Sequence, residues 1–199
     1  MRIMRASVLL IALLFLPLAA QQQDPKSIAE EYLEQNAERL YTISDSIWAY
    51  AELGLQEYWS SALLADDLER EGFLVDRWIS GMPTAFVASY GSGKPVIGFL
   101  AEFDALPGLS QKAGVSRQEA VIEGAPGHGC GHNTMGTAAV AAAIATKRAM
   151  NENGIKGTIK VFGTPAEESL SGKIYMVRGG LFDGVDAVLD NHADGSMGV

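Results

Sequence analysis

Cysteine is nearly absent from this sequence: its 199 residues contain one, Cys130. A lone thiol closes no intrachain disulfide, so the fold cannot rest on a disulfide framework. Histidine is almost as scarce, at three residues, His128, His132 and His192. Positive charge is short as well. The 15 Lys and Arg face 24 Asp and Glu, for a formal net charge of −9. A chain of that sign repels phosphate backbones, which disfavours nucleic acid as a partner. A phosphate loop is missing too: Gly91-Ser92-Gly93-Lys94 lacks the upstream glycine, and Pro95 replaces the hydroxyl residue after the lysine. There is no internal repeat and no low-complexity tract.

Long apolar runs are absent with one exception. Residues 1–20 carry Arg2 and Arg5, then the apolar stretch 8–16, then Pro17 and the small pair Ala19-Ala20. That is the pattern of a secretory signal peptide, and the stretch is too short to span a bilayer comfortably. The expectation is export, to a periplasm or the exterior, with no stable membrane anchor after cleavage. The remainder, 21–199, is the mature domain. At 48% hydrophobic and 20% charged residues over the whole chain, it has enough apolar material to bury a core.

Apolar spacing predicts one long helix over 25–53, entered through Asp24-Pro25 and stopped by Gly54. A second helix opens at Trp59 or Ser60 and stops at Gly72, and Trp48 and Trp59 are read as core anchors. Short strands follow over 73–79, 85–90 and 96–100, then a Gly- and Pro-rich loop over 101–131. An alanine-rich helix runs from Asn133 or Thr134 to about Asn151, followed by a strand over 158–162 and a loop over 167–172. A short helix over 173–178 and a strand over 187–191 complete the pattern. Strands alternating with helices predict an α/β fold with a mostly parallel central sheet flanked by helices.

The chemistry concentrates at four places. Gly127-His128-Gly129-Cys130-Gly131-His132 packs two imidazoles and the only thiol into metal-ligand density, and its glycines let the backbone turn tightly. Gly163-Thr164-Pro165-Ala166-Glu167-Glu168 follows an apolar strand. Two adjacent carboxylates there can divide labour, one binding a metal and the other acting as general base for a metal-bound water. His192 ends the last strand, and Glu102-Phe103-Asp104 follows the third. All four fall at carboxyl ends of predicted strands or at a helix start, where open α/β sheets bind ligands.

In this order the residues resemble the M20 metallopeptidases, closest to their aminobenzoyl-glutamate-utilising amidohydrolase branch. Carrying the resemblance are Ser46-Ile47-Trp48-Ala49-Tyr50-Ala51-Glu52-Leu53-Gly54-Leu55-Gln56-Glu57, the loop 102–111, the Cys-Gly-His segment 127–133, the Glu-Glu segment 163–168 and Asp190-Asn191-His192. The resemblance implies a zinc-peptidase-like catalytic domain. It implies Cys130, His132, Glu168 and His192 as metal ligands, Glu167 as general base, and Asp104 as the residue that orients the site. It assigns no role to His128. Many M20 enzymes carry a metal-binding His two residues before the Asp of the first loop, where Glu102 stands here. The cofactor implied is divalent metal, two ions of zinc or manganese per site. The substrate implied is a small amide or peptide, an N-acyl or aryl-amide conjugate of an amino acid. The family continues with a lid (dimerisation) domain and a second catalytic half, so 21–199 is expected to be an N-terminal, incomplete part of a homodimeric enzyme.

Two other readings stand beside this one. A thiol hydrolase using Cys130 with His128 or His132 needs no metal, but leaves Glu167 and Glu168 without a part. A truncated, inactive metal- or ligand-binding domain would bind without turnover.

Overall fold

The first described element starts where the sequence places it. In this computed structural model, which describes residues 23–193, Asp24 caps α1 (Pro25–Gln35) by accepting a hydrogen bond from Ser27 N at 3.3 Å. The signal segment expected over 1–20 lies outside the described residues. Among the described residues, no helix is long and apolar enough to cross a membrane.

The long helix expected over 25–53 is two helices. It breaks at Asn36, whose side-chain nitrogen donates to Tyr32 O at 2.8 Å and so closes the end of α1. The chain restarts as α2 (Ala37–Tyr50) and ends at Ala51 in a left-handed conformation. Next come α3 (Tyr58–Arg70), β1 (Leu74–Arg77), β2 (Phe86–Ser92) and β3 (Val96–Ala101). The long loop then leads into α4 (His132–Asn153), followed by β4 (Gly157–Gly163), α5 (Glu167–Leu170), α6 (Gly172–Arg178) and β5 (Ala187–Leu189). Residues 167–170, expected as loop, form a single helical turn.

The described strands form one sheet in the order β1-β2-β4-β3-β5. Pairing of β1 with β2 and of β2 with β4 is antiparallel, while β4 with β3 and β3 with β5 are parallel. The α/β architecture with a helix-flanked central sheet is the expected one, but the sheet is mixed rather than mostly parallel. The cause is the turn after β2. Its two strands do not pair as a hairpin, because β4 slots between them. The start of β4 runs under the turn: Thr158 N donates to Pro95 O at 2.8 Å. A Cβ on Gly91 would sit 2.3 Å from Gly157 O, so the two backbones meet only because Gly91 has no side chain.

The main core lies between the sheet and helices α1 to α4, with Ile47, Leu64, Leu68, Phe86, Phe103, Val140, Ile144, Ile159 and Val161. On the opposite face Met82, Val87, Phe162 and Met176 bury a smaller cluster under α6. Val161 and Phe162 face opposite ways, as the period of two along a strand requires. Trp59 is 69% exposed, so it is not a core anchor. It stands in the first turn of α3, with its ring 6.5 Å from that of Tyr50. Trp48 is half-buried, with its ring 6.2 Å from His128.

Candidate metal centre

Three parallel strands deliver the site. Glu102 and Asp104 follow the end of β3, Glu167 and Glu168 follow β4, and His192 follows β5. Because β3, β4 and β5 run the same way, these residues emerge at one edge of the sheet. The fourth contribution comes from α4. Gly131, in a left-handed conformation at φ 88°, turns the loop into the helix and makes His132 its first residue. Gly136, one turn later, would place a Cβ 2.4 Å from Glu102 O. The small residues of α4 thus let its start lie directly on the end of β3.

His132 is the centre of the arrangement and is fully buried. Its Nδ1 lies 3.0 Å from Asp104 Oδ1. That carboxylate fixes the ring, as a carboxylate behind a ligating imidazole does, and leaves Nε2 to face the site. Around Nε2 stand Glu102 Oε2 at 3.1 Å, Glu168 Oε1 at 3.9 Å and Glu167 Oε2 at 4.0 Å. Cys130 Sγ lies 3.4 Å from His192 Nε2. Two groups of ligand atoms each fall within 4.8 Å of one another, Cys130 with His132 and His192, and Glu102 with His132 and Glu167. The six residues to which the resemblance assigns roles, Asp104, Cys130, His132, Glu167, Glu168 and His192, therefore meet at this edge.

Three buried polar atoms here make no well-aligned hydrogen bond, His132 Nε2, Glu102 Oε2 and Glu168 Oε1, although the first two face each other at 3.1 Å. Buried polar groups are ordinarily satisfied. An imidazole nitrogen, once its proton is displaced, and two carboxylate oxygens around one point are the donor set of a divalent cation, so the residues present fit a metal. The electrostatics agree. Burial disfavours the imidazolium, but hydrogen bonds and charge from Asp104 and Glu102 outweigh it and push His132 up to about 11. The field that holds a proton there favours any cation. Burial likewise acts against the Glu102 anion, but His132 and Lys173 hold that carboxyl down to about 2.

Two members of this wall were given no part by the sequence. Glu102, almost fully buried, carries no assigned role there, although its place two residues before Asp104 is the available signal. Lys173 on α6 bonds Glu102 Oε1, and nothing in the sequence pairs the two. His128 lies apart from the cluster. Its Nε2 donates to Ile47 O at 3.0 Å, which ties the loop to α2. Burial lowers its pKa, in keeping with a neutral ring.

The model of peptidase family M20/M25/M40 matches residues 98–199, and the chain belongs to that family. It is 48% identical over 170 residues to a subunit of the p-aminobenzoyl-glutamate hydrolase of Escherichia coli, covering 85% of this chain and 35% of that protein. Its fold matches a putative aminohydrolase from methicillin-resistant Staphylococcus aureus with a TM-score of 0.69 at 27% identity, over 84% of this chain and 42% of the other. It also matches a dinuclear metal-binding M20 peptidase from Bacillus subtilis with a TM-score of 0.64 at 23% identity, over 85% and 44%. The chain spans roughly a third of the length of the curated relatives it matches.

Proposed function

We propose that this chain carries the metal-binding part of an amide-bond hydrolase. The observation that supports it most is the trio of buried atoms without a well-aligned hydrogen bond, His132 Nε2, Glu102 Oε2 and Glu168 Oε1, gathered where three parallel strands end. In this reading Cys130, His132, Glu168 and His192 hold the metal, and Asp104 fixes the His132 ring. The thiol and imidazoles suit zinc and the carboxylates suit manganese, with two ions per site as in the family member described as dinuclear. When bound, the metal supplies positive charge that polarises the amide carbonyl and makes a neighbouring water more acidic.

Glu167 does the proton work. Its side chain is 35% exposed, against 20% for Glu168, so it can reach both the site and an incoming substrate. It takes a proton from the attacking water and returns it to the leaving amine. Glu168 is tied more firmly, through its backbone amide on Asp104 Oδ2 at 3.0 Å. That division suits one mobile base and one fixed ligand.

The substrate class we propose is an N-acyl or aryl-amide conjugate of an amino acid, with p-aminobenzoyl-glutamate the first candidate given the relative at 48% identity. A homodimer and export through the segment 1–20 complete the proposal. The thiol-hydrolase alternative is the less favoured reading, although Cys130 Sγ lies beside an imidazole, His192. Burial pushes the Cys130 thiol up, and the charges of Glu168 and Glu167 add to it against the opposing pull of His132. A nucleophilic thiol needs the opposite.

The test is hydrolysis of p-aminobenzoyl-glutamate by the metal-loaded protein and by Glu167→Gln at equal metal content. Loss of about 10²–10⁴-fold in kcat is expected. A wild-type rate in the variant, or activity that survives complete chelation, would overturn the proposal.

A further inference from the structure

The segment 46–57 has no part in the chemistry above, yet its two carboxylates have defined partners. Glu52 caps α3: its oxygens accept from Trp59 N at 3.0 Å and Ser60 N at 2.9 Å. Glu57 turns the other way and is fully buried. Its Oε2 accepts from Thr84 Oγ1 at 2.7 Å and its Oε1 accepts from Ala166 N at 2.8 Å.

Ala166 is the residue before Glu167 and Glu168. Its φ of 56° is left-handed, a conformation alanine rarely adopts without outside support. Two residues further on, Glu168 N donates to Asp104 Oδ2 at 3.0 Å. The turn that presents both glutamates is thus held at each end by a buried carboxylate from a different loop. The contact is intimate. A Cβ on Gly54 would lie 2.6 Å from Ser169 Oγ and 2.8 Å from Ala166 Cβ, so the 53–57 turn packs directly on this segment.

We infer that Glu57 is a positioning residue: by accepting the Ala166 amide it holds the left-handed turn, and so aims Glu167 and Glu168 at His132. The consequence for metal rests on the ligand roles proposed above, whereas the clamp itself does not. What matters is reach, not charge. A glutamine at position 57 still offers an oxygen to Ala166 N. An aspartate keeps the charge, but is one methylene short.

The experiment compares the wild-type chain, Glu57→Gln and Glu57→Asp by two readouts. The first is amide exchange in the metal-free protein. In Glu57→Asp the amides of 166–168 exchange at least about tenfold faster while those of α4 and β4 stay protected, and in Glu57→Gln they exchange no faster than in wild type. The second is cobalt(II) binding, read from visible absorption. Affinity falls about 10–100-fold in Glu57→Asp and stays near wild type in Glu57→Gln. Wild-type exchange or affinity in Glu57→Asp overturns the inference, as does a Glu57→Gln variant as impaired as Glu57→Asp. Should Glu57→Asp not fold, Glu57→Gln decides alone: retained protection and affinity support the clamp, and their loss overturns it. Should the wild-type chain bind no cobalt, the metal reading fails, and the exchange data still decide the clamp.

Discussion

Replacing Glu57 by Gln is expected to stabilise the metal-free protein near pH 8 and to leave it almost unchanged near pH 4. Burial, the largest cause, pushes the Glu57 carboxyl up from 4.5 to about 7, although hydrogen bonds from Thr84 and from backbone amides work against it. The native state therefore holds this proton more tightly than the unfolded chain does. Stability from that difference is fully present below pH 4.5 and is lost as the pH rises through about 7. The span from 4.5 to about 7, at about 1.4 kcal/mol per pH unit, comes to about 3 kcal/mol. Glutamine never ionises and escapes that loss. Glu102 contributes the opposite trend in acid, because its carboxyl is held down to about 2, but that contribution is common to both proteins and cancels in the difference. Urea unfolding of both proteins in chelator, between about pH 4 and pH 8, reads the difference directly. A gap between variant and wild type that stays flat across this range, or that closes as the pH rises, would show that Glu57 does not titrate as a buried acid.

Three further outcomes follow from the same geometry. Gly136→Ala pushes a methyl against Glu102 O and Leu64. It should cost about 1–3 kcal/mol in urea unfolding, and an unchanged midpoint would contradict the close approach of α4 to β3. Asp104→Asn weakens both the His132 Nδ1 contact and the hold on Glu168 N. Zinc affinity by competition with a chelating dye should fall about 10–100-fold, and wild-type affinity would remove Asp104 from the site. Cys130, with its thiol pushed up by burial, should react with iodoacetamide more slowly than free cysteine at the same pH. A faster reaction would restore the nucleophile reading.

Much of the site was legible because its signals are local. The Gly-His-Gly-Cys-Gly-His density, the paired glutamates after an apolar strand and His192 at a strand end are each visible in a few consecutive residues. Their convergence depended on strand direction, and the three strands that matter are parallel. What stayed hidden is non-local or turns on one residue. The insertion of β4 between β2 and β3 depends on two backbones meeting at Gly91 and Gly157, far apart in sequence. The break at Asn36 leaves the apolar period intact, so periodicity alone reads through it. Lys173 and Glu57 act on residues 71 and 109 positions away. The left-handed turn at Ala166 is carried by an alanine, where a glycine would have announced it.

The metal reading requires His132, with Cys130 and the acidic wall, to bind a divalent metal. Elemental analysis of the purified chain, reconstituted with zinc or manganese and desalted, tests it for wild type and for Cys130→Ser. Bound metal is expected in wild type, with loss of most of it in the variant. A wild-type chain that retains no metal, or a Cys130→Ser chain that retains as much as wild type, would contradict it.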